Sequence, residues 1–370
     1  FWLKPIRFKA CMLRFLSSRR LCAQEAGAQR MFRSWMSRRS AATTSSINNF
    51  DAAKNPALGR IIKDSSLPSY EEGKHYKIVC LESGSTRGDL PINASLPGSF
   101  EFDESPEKPP TRVDYEEQCP GSFLLRDILT QSECDQLLKL SETMGYTEDA
   151  PVSLARNIRQ NENCVWIAHD ALNDGIFERC RALLPPEVQG GSVAGLNARW
   201  RLYKYGPNDI FRKHTDGSWP GSGLNQVGNA VIRDKYGDRW SQLTIVIYLT
   251  DEFEGGPTRF FLPGGRTGEI KGERGGAVCF YHGEHDLSPL HEGGLVTSGT
   301  KYIIRSDVLY MLPRDGRGSG QSGWQQQYAQ ADPVVISKEN LRQMALHASP
   351  EQRRMIEMIL RKMEEEGDDS

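Results

Sequence analysis

The stretch SQLTIVIYLT, residues 241–250, decides the fold class. β-Branched and aromatic residues run through it almost without a break, which favours a buried strand over a helix. Working outward, ARWRLYKY (198–205), TRFFLP (258–263), GAVCFYH (276–282) and TKYIIRSDVLYMLP (300–313) have the same texture, with Gly or Pro turns between them. Short strands at this spacing, without helical patterns between them, predict an all-β barrel or a double-sheet jelly roll.

Helices are expected only on the flanks. FLLRDIL (123–129) is a short apolar run. Thr130 followed by Glu133 makes a capping box that opens a helix with Leu137, Leu138 and Leu140 on its apolar side. IFERCRALLPP (176–186) reads as a second amphipathic helix, stopped by its prolines. Within 46–118, rich in Ser, Pro, Gly and Glu, only HYKIVCLE (75–82) reads as a strand. SPEQRRMIEMILRKMEEE (349–366) is expected as a C-terminal helix with Ser349 as its cap. The partition is therefore a basic segment 1–50, a mostly disordered linker 51–118, a catalytic-type domain 119–313 with its core at 195–312, a flexible linker 314–332 and a helical segment 333–370.

Bulk properties exclude several classes. The chain has 370 residues, 38% of them hydrophobic, with a net charge of -2 and a mean hydropathy of -0.54. That balance gives no strong nucleic-acid signal, and no apolar run is long enough to predict a membrane span. The eight cysteines contain no C-x-x-C pair, so free thiols and an intracellular setting are expected. The first 50 residues hold ten Lys or Arg and one acidic residue, Glu25. A basic, Ser-rich, acid-poor segment suggests mitochondrial or other organelle import, with a cytoplasmic location otherwise. The chain begins with Phe, and Met12 and Met31 are candidate starts.

The chemistry concentrates in two places. RKHTDGSW (212–219) sets His214 and Asp216 two apart, so an extended backbone points both to one side. PLHEGGLVTSGTKYIIRSDVLY (289–310) supplies His291, then Lys301, Ile303 and Arg305 on one strand face. Two histidines and a carboxylate on a β scaffold fit the facial triad of non-haem Fe(II) oxygenases, which leaves positions open for a keto acid and oxygen. His282 and His285 are alternative third ligands. A zinc hydrolase would use the same ligands without needing Lys301 or Arg305, and a non-catalytic β-barrel module binding a metal or small acid, or another protein, would lack part of the site.

Residues 120–312 resemble the Fe(II)/2-oxoglutarate-dependent dioxygenases, in their prolyl 4-hydroxylase-like branch. The matching stretches are LYKYGPNDIFRKHTDG, LTIVIYLTDEFEGGPTRFF, GGAVCFYH and LHEGGLVTSGTKYIIRSDVLY. The resemblance implies a double-stranded β-helix, or jelly roll, with flanking helices, mainly β and α+β overall. It implies His214, Asp216 and His291 as iron ligands and Lys301 as the partner of the distal carboxylate of 2-oxoglutarate. Tyr205 and Thr258 would line the cosubstrate site, and Arg305 is a second candidate cation for it. Arg159, Asn161, Asn197 and Arg199 are candidate substrate contacts, and the long insertion 218–240 is a candidate lid or substrate loop. The implied cofactors are Fe(II), 2-oxoglutarate, O2 and ascorbate. The implied reaction is hydroxylation with release of succinate and CO2, on a protein or small-molecule substrate, a prolyl residue first among them.

Overall fold

The computed structural model describes residues 56–82, 90–148 and 159–312. The basic N-terminal segment, the linker after Leu312 and the expected C-terminal helix lie outside the described residues.

Eight strands carry the architecture: β1 (Glu162–Ile167), β2 (Arg199–Tyr205), β3 (Ile210–His214), β4 (Arg239–Tyr248), β5 (Thr258–Phe261), β6 (Ala277–Tyr281), β7 (Leu290–Gly293) and β8 (Lys301–Met311). Helices α1 (Gln131–Met144) and α2 (Asp170–Cys180) flank them. The larger sheet runs Tyr76–Glu82, Leu90–Ser95, β1, β2, β8, β4, β6, Phe123–Arg126, Thr111–Asp114. Only Leu90–Ser95 and β1 pair in parallel along this path. The smaller sheet runs Thr267–Ile270, β5, β7, β3, Arg159–Gln160, antiparallel throughout. One core joins the two sheets: Tyr203, Tyr205, Val246, Tyr248, Val278, Phe280 and Ile303 from the larger pack with Phe260 and Ile270 from the smaller. This is the double-sheet jelly roll that the strand pattern predicts.

The outer face of the larger sheet is covered as well. Leu243, Ile245 and Ile247 of β4 and Tyr302, Ile304 and Val308 of β8 share a cluster with Leu137, Leu138 and Leu140 of α1 and Ile176 and Phe177 of α2. Burial on both faces is why β4 and β8 read as apolar runs rather than as alternation. The first ten residues of β8 are all buried. Its inner face therefore carries Lys301, Arg305 and Asp307 out of water, beside Ile303. Buried charges need partners, and the partners define the site.

The capping box of α1 forms as predicted: Thr130 accepts from the Glu133 backbone, and Glu133 reaches back to Thr130. Arg179 of α2 pairs with the same buried Glu133 at 2.6 Å, tying the two helices together. Two expectations change. The segment 51–118 is not mainly linker, because Tyr76–Glu82, Leu90–Ser95 and Thr111–Asp114 are strands of the larger sheet. Tyr76–Glu82 is the strand expected there; the Pro and Ser of Leu90–Ser95 masked an interior strand whose Leu90, Ile92 and Ala94 are buried, and Thr111–Asp114 is a four-residue edge strand too short to read from pattern. The second helix starts at Asp170, capped by the His169 ring, six residues earlier than the apolar run suggested. The six described cysteines are free thiols. Among the described residues no helix is long and apolar enough to cross a membrane.

Candidate active site

His214 closes β3, and the antiparallel register sets it directly opposite His291 on β7. Asp216 follows two residues beyond the strand end. Its carbonyl accepts from the Gly283 N–H at 2.9 Å. Gly283 has φ +65°, and a Cβ there would lie 1.9 Å from the Ser218 hydroxyl, so this close approach requires glycine. One donor atom from each of His214, Asp216 and His291 can be chosen so that all lie within 4.8 Å of one another.

The ring orientations fit a metal. His214 Nδ1 lies 2.7 Å from the Arg212 carbonyl and His291 Nδ1 3.1 Å from the Pro289 carbonyl. A carbonyl only accepts, so each Nδ1 carries the proton and each Nε2 keeps a free lone pair. Those Nε2 atoms face Asp216, at 3.7 Å from Oδ1 for His214 and 3.8 Å from Oδ2 for His291. Burial, helped by the neighbouring His291, pushes the His214 ring down to about 4, which keeps it neutral as a ligand must be. Phe211 stacks on His214 at 3.6 Å and Phe280 meets His291 at 4.6 Å, so apolar rings wall the triad. Two imidazoles and one carboxylate brought together make the mixed nitrogen and oxygen donor set that suits Fe(II).

Asp216 is held by two donors on one oxygen. Oδ2 accepts from Thr244 Oγ1 at 2.7 Å and from Arg305 Nη2 at 3.3 Å. Among the described residues nothing donates to Oδ1. Burial alone would raise the Asp216 carboxyl, but Arg305 and the two histidines hold it well below the usual carboxylate range. Thr244 is part of a chain whose protons can be ordered. It donates to Asp216, so it must accept from His282 Nδ1, 2.9 Å away. His282 Nε2 then accepts from Ser241 Oγ at 2.9 Å, and Ser241 in turn accepts from the Trp219 N–H at 2.8 Å. His282 is fully buried behind the site, a support rather than the third ligand. His285 stacks on Tyr281 at 3.8 Å and is no ligand of this cluster either.

Lys301 and Arg305 differ sharply. Arg305 is paired twice, with Asp216 and with Asp307 Oδ1 at 2.9 Å. Lys301 donates to the Gly256 carbonyl at 2.6 Å and otherwise faces the rings of Tyr248, Tyr205 and Phe253 at 5.1, 5.5 and 5.9 Å. Among the described residues no carboxylate pairs with it, and burial pushes its ammonium down to about 7. Gly255 and Gly256 both have positive φ, 72° and 61°, which accounts for the EGG turn that delivers this carbonyl. Tyr205 sits opposite Lys301 in the register of β2 and β8. Thr258 meets the Tyr248 hydroxyl at 3.2 Å.

The substrate candidates are sorted by their partners. Arg159 hydrogen-bonds Asn161 at 3.0 Å and Asn163, and lies over Tyr203 and Phe211 beside the triad. Asn197 and Arg199, expected to line the cavity, are committed elsewhere. Asn197 bonds Asp307, Pro220, Ser222 and the Arg199 backbone, and Arg199 forms a two-pronged pair with Glu82 at 3.0 and 2.7 Å. Sequence reading missed Thr244 and Tyr248. Their signal was present: with Val246 they alternate along one face of SQLTIVIYLT, and a threonine inside so apolar a strand needs a partner.

No family model matches the chain. A curated relative, a putative prolyl 4-hydroxylase of Acanthamoeba polyphaga mimivirus, is 26% identical over 188 residues, covering 49% of this chain and 71% of the relative. Among solved structures, the viral collagen prolyl hydroxylase of Paramecium Bursaria Chlorella virus-1, in its 2OG complex, has a TM-score of 0.35 and 19% identity, covering 56% of this chain and 98% of that one. A Pseudomonas putida prolyl-4-hydroxylase has a TM-score of 0.36 and 16% identity, covering 51% of this chain and 92% of that one.

Proposed function

We propose that this Fe(II)- and 2-oxoglutarate-dependent dioxygenase hydroxylates a prolyl residue of a polypeptide, releasing succinate and CO2. The observation that carries the reading is the triad itself: the Nε2 atoms of His214 and His291 both face the Asp216 carboxylate, and one donor atom from each residue lies within 4.8 Å of the others. His214, Asp216 and His291 would hold the iron. Bound Fe(II), with 2-oxoglutarate and O2, supplies the oxidising chemistry that decarboxylates the keto acid and inserts oxygen into a C–H bond.

The chain's own residues do the rest. Lys301 would take the distal carboxylate as a charge-assisted hydrogen-bond partner, since it has no carboxylate of its own. Tyr205, Tyr248 and Thr258 would wall that end. Arg305, already shared by two carboxylates, would hold Asp216 in place rather than bind cosubstrate. Thr244 and Arg305 together keep Oδ2 occupied and so turn Oδ1 toward the metal. Phe211, Phe260 and Phe280 exclude water from the histidines. Support for a prolyl target comes from the curated relative, named as a putative prolyl 4-hydroxylase.

The test uses the full chain, because residues before 119 belong to the larger sheet. Protein is loaded anaerobically with Fe(II) and 2-oxoglutarate, with ascorbate as reductant, then exposed to O2 with and without proline-containing peptides. The expected result is a 2-oxoglutarate-dependent visible band, succinate, and a mass gain of one oxygen on proline, all lost in His214→Ala. A visible band and succinate without oxygen on any proline would retire the prolyl target. Absence of both band and succinate would overturn the role given to the triad.

A further inference from the structure

Arg201 of β2 stands directly across from Arg305 of β8, and Val165 of β1 is its partner on the other side. Cross-strand partners share a face, so Arg201 lies on the inner face with Arg305. Two guanidinium groups in that relation repel. Arg305 is neutralised by Asp216 and Asp307. Its strand neighbours are also paired: Arg199 with Glu82, Lys204 with Glu142 and Glu162. Among the described residues Arg201 has neither an ion pair nor a hydrogen bond, and its contact is the Trp219 ring at 5.7 Å. Burial first, and then the Arg305 charge, lower its ionisation, and Tyr203 and Asp307 only partly offset them.

The insertion forms the wall on the other side. Trp219 lies beside Arg201, and the hairpin of Gly223–Leu224 with Val231–Ile232 follows. Leu224 and Val231 pack on Ile92, Val165 and Ala198. Arg201 thus stands between the Asp216–Arg305 pair and the insertion, a cation with no ion pair of its own among the described residues, since Asp307, the carboxylate that favours its charge, is already paired with Arg305.

We propose that Arg201 receives a carboxylate of the substrate, so that the enzyme selects a reacting residue with a carboxylate close by. The inference rests on the dioxygenase reading above and deepens it. Arg305, opposite Arg201, is four residues along β8 from Lys301, about 13 Å of strand, so this carboxylate is not the one Lys301 would hold. Its source is either an Asp or Glu side chain beside the reacting residue or the α-carboxylate of a free amino acid.

The test is titration calorimetry on the full chain with Mn(II) and 2-oxoglutarate under argon. The probes are a capped Asp-Pro peptide, its Asn-Pro twin and free L-proline. One carboxylate probe should bind about tenfold or more tighter than the Asn-Pro peptide, the scale of one hydrogen bond to a charged group. A lead for Asp-Pro assigns an acidic side chain, and a lead for L-proline assigns the α-carboxylate. Arg201→Gln should collapse the ratio to about one, while Arg201→Lys should retain a preference. Equal binding of all probes, no measurable binding of either carboxylate probe, or a preference surviving in Arg201→Gln would overturn the inference. So would a larger loss of 2-oxoglutarate affinity than of probe affinity in Arg201→Gln, which would give the carboxylate to the cosubstrate. Because binding is read without turnover, a carboxylate preference without succinate would keep Arg201's role and remove the hydroxylase reading.

Discussion

Two cations stand four residues apart on the same buried face of β8, and their surroundings are opposite. Arg305 touches two carboxylates. Lys301 touches a carbonyl and three aromatic rings. A buried charge with its partners already present is part of the fold; one without them is a place kept for a ligand. In the function proposed above, the difference gives the two residues separate work: Arg305 would fix a metal ligand and Lys301 would await the cosubstrate. It also ranks what their removal should do.

Arg305→Met should give the largest loss. It leaves the part-buried Asp216 and the buried Asp307 without their cation, and breaking such a pair costs roughly 3–5 kcal/mol of folding stability. Chemical denaturation of the metal-free protein reads this directly. Metal affinity should fall with it. If Arg305→Met instead raised the 2-oxoglutarate KM more than the metal Kd, the two cations would have to exchange roles.

Lys301→Met should separate binding from stability. 2-Oxoglutarate affinity should drop by roughly 2–5 kcal/mol, the cost of leaving a buried charge without its partner. The cosubstrate-free protein should become more stable, on the order of 1–3 kcal/mol, because a buried ammonium with no carboxylate partner is gone, a gain that outweighs the lost bond to the Gly256 carbonyl. A variant that loses stability along with affinity would show that Lys301 supports the fold. The pH dependence has a definite sign. Burial lowers the folded ammonium to about 7 from an unfolded value of 10.5, so between these values the unfolded chain holds the extra proton. Stability of the cosubstrate-free protein should therefore rise with pH across that window. 2-Oxoglutarate needs the protonated form, so its affinity should fall as pH climbs above about 7. Lys301→Arg should flatten both trends.

The same contrast shows what the sequence could and could not disclose. The triad was legible because its parts carry spacing: an alternation at His214 and Asp216, and His291 followed by Lys301 into a recognisable strand. The jelly roll was legible because β4 and β8 are buried on both faces and read as long runs rich in β-branched and aromatic residues. What stayed hidden depends on pairing between distant segments. Arg305 and Lys301 look equivalent along the chain, and only the fold brings Asp216 to one of them. Asn197 and Arg199 looked free for the same reason, since Asp307 lies 110 positions from Asn197 and Glu82 lies 117 from Arg199. Within 51–118, Thr111–Asp114 is too short, and Leu90–Ser95 too interrupted by Pro91 and Asn93, to announce themselves, and partner strands hold them in place.

The smallest expected effects lie along the chain of hydroxyls behind Asp216, and they sharpen the comparison because no net charge is changed. Thr244→Val is close in shape but cannot donate to Oδ2 or accept from His282, so Arg305 would hold that oxygen alone. Metal affinity should fall about 10–100-fold, as for other residues that orient a ligand from behind. Thr244→Ser keeps the hydroxyl and should recover most of the loss. Ser241→Ala removes a donor two hydrogen bonds further from the carboxylate, and its effect should be smaller than that of Thr244→Val. Metal titrations of the three variants read the order directly. If Ser241→Ala matched Thr244→Val, the unit would be the whole chain from Trp219 to Asp216, with proton order rather than local contact fixing the ligand. If Thr244→Val had no effect, the Arg305 pair alone would suffice to hold Asp216, and the distinction between a paired and a waiting cation would carry the whole orientation of the metal ligand.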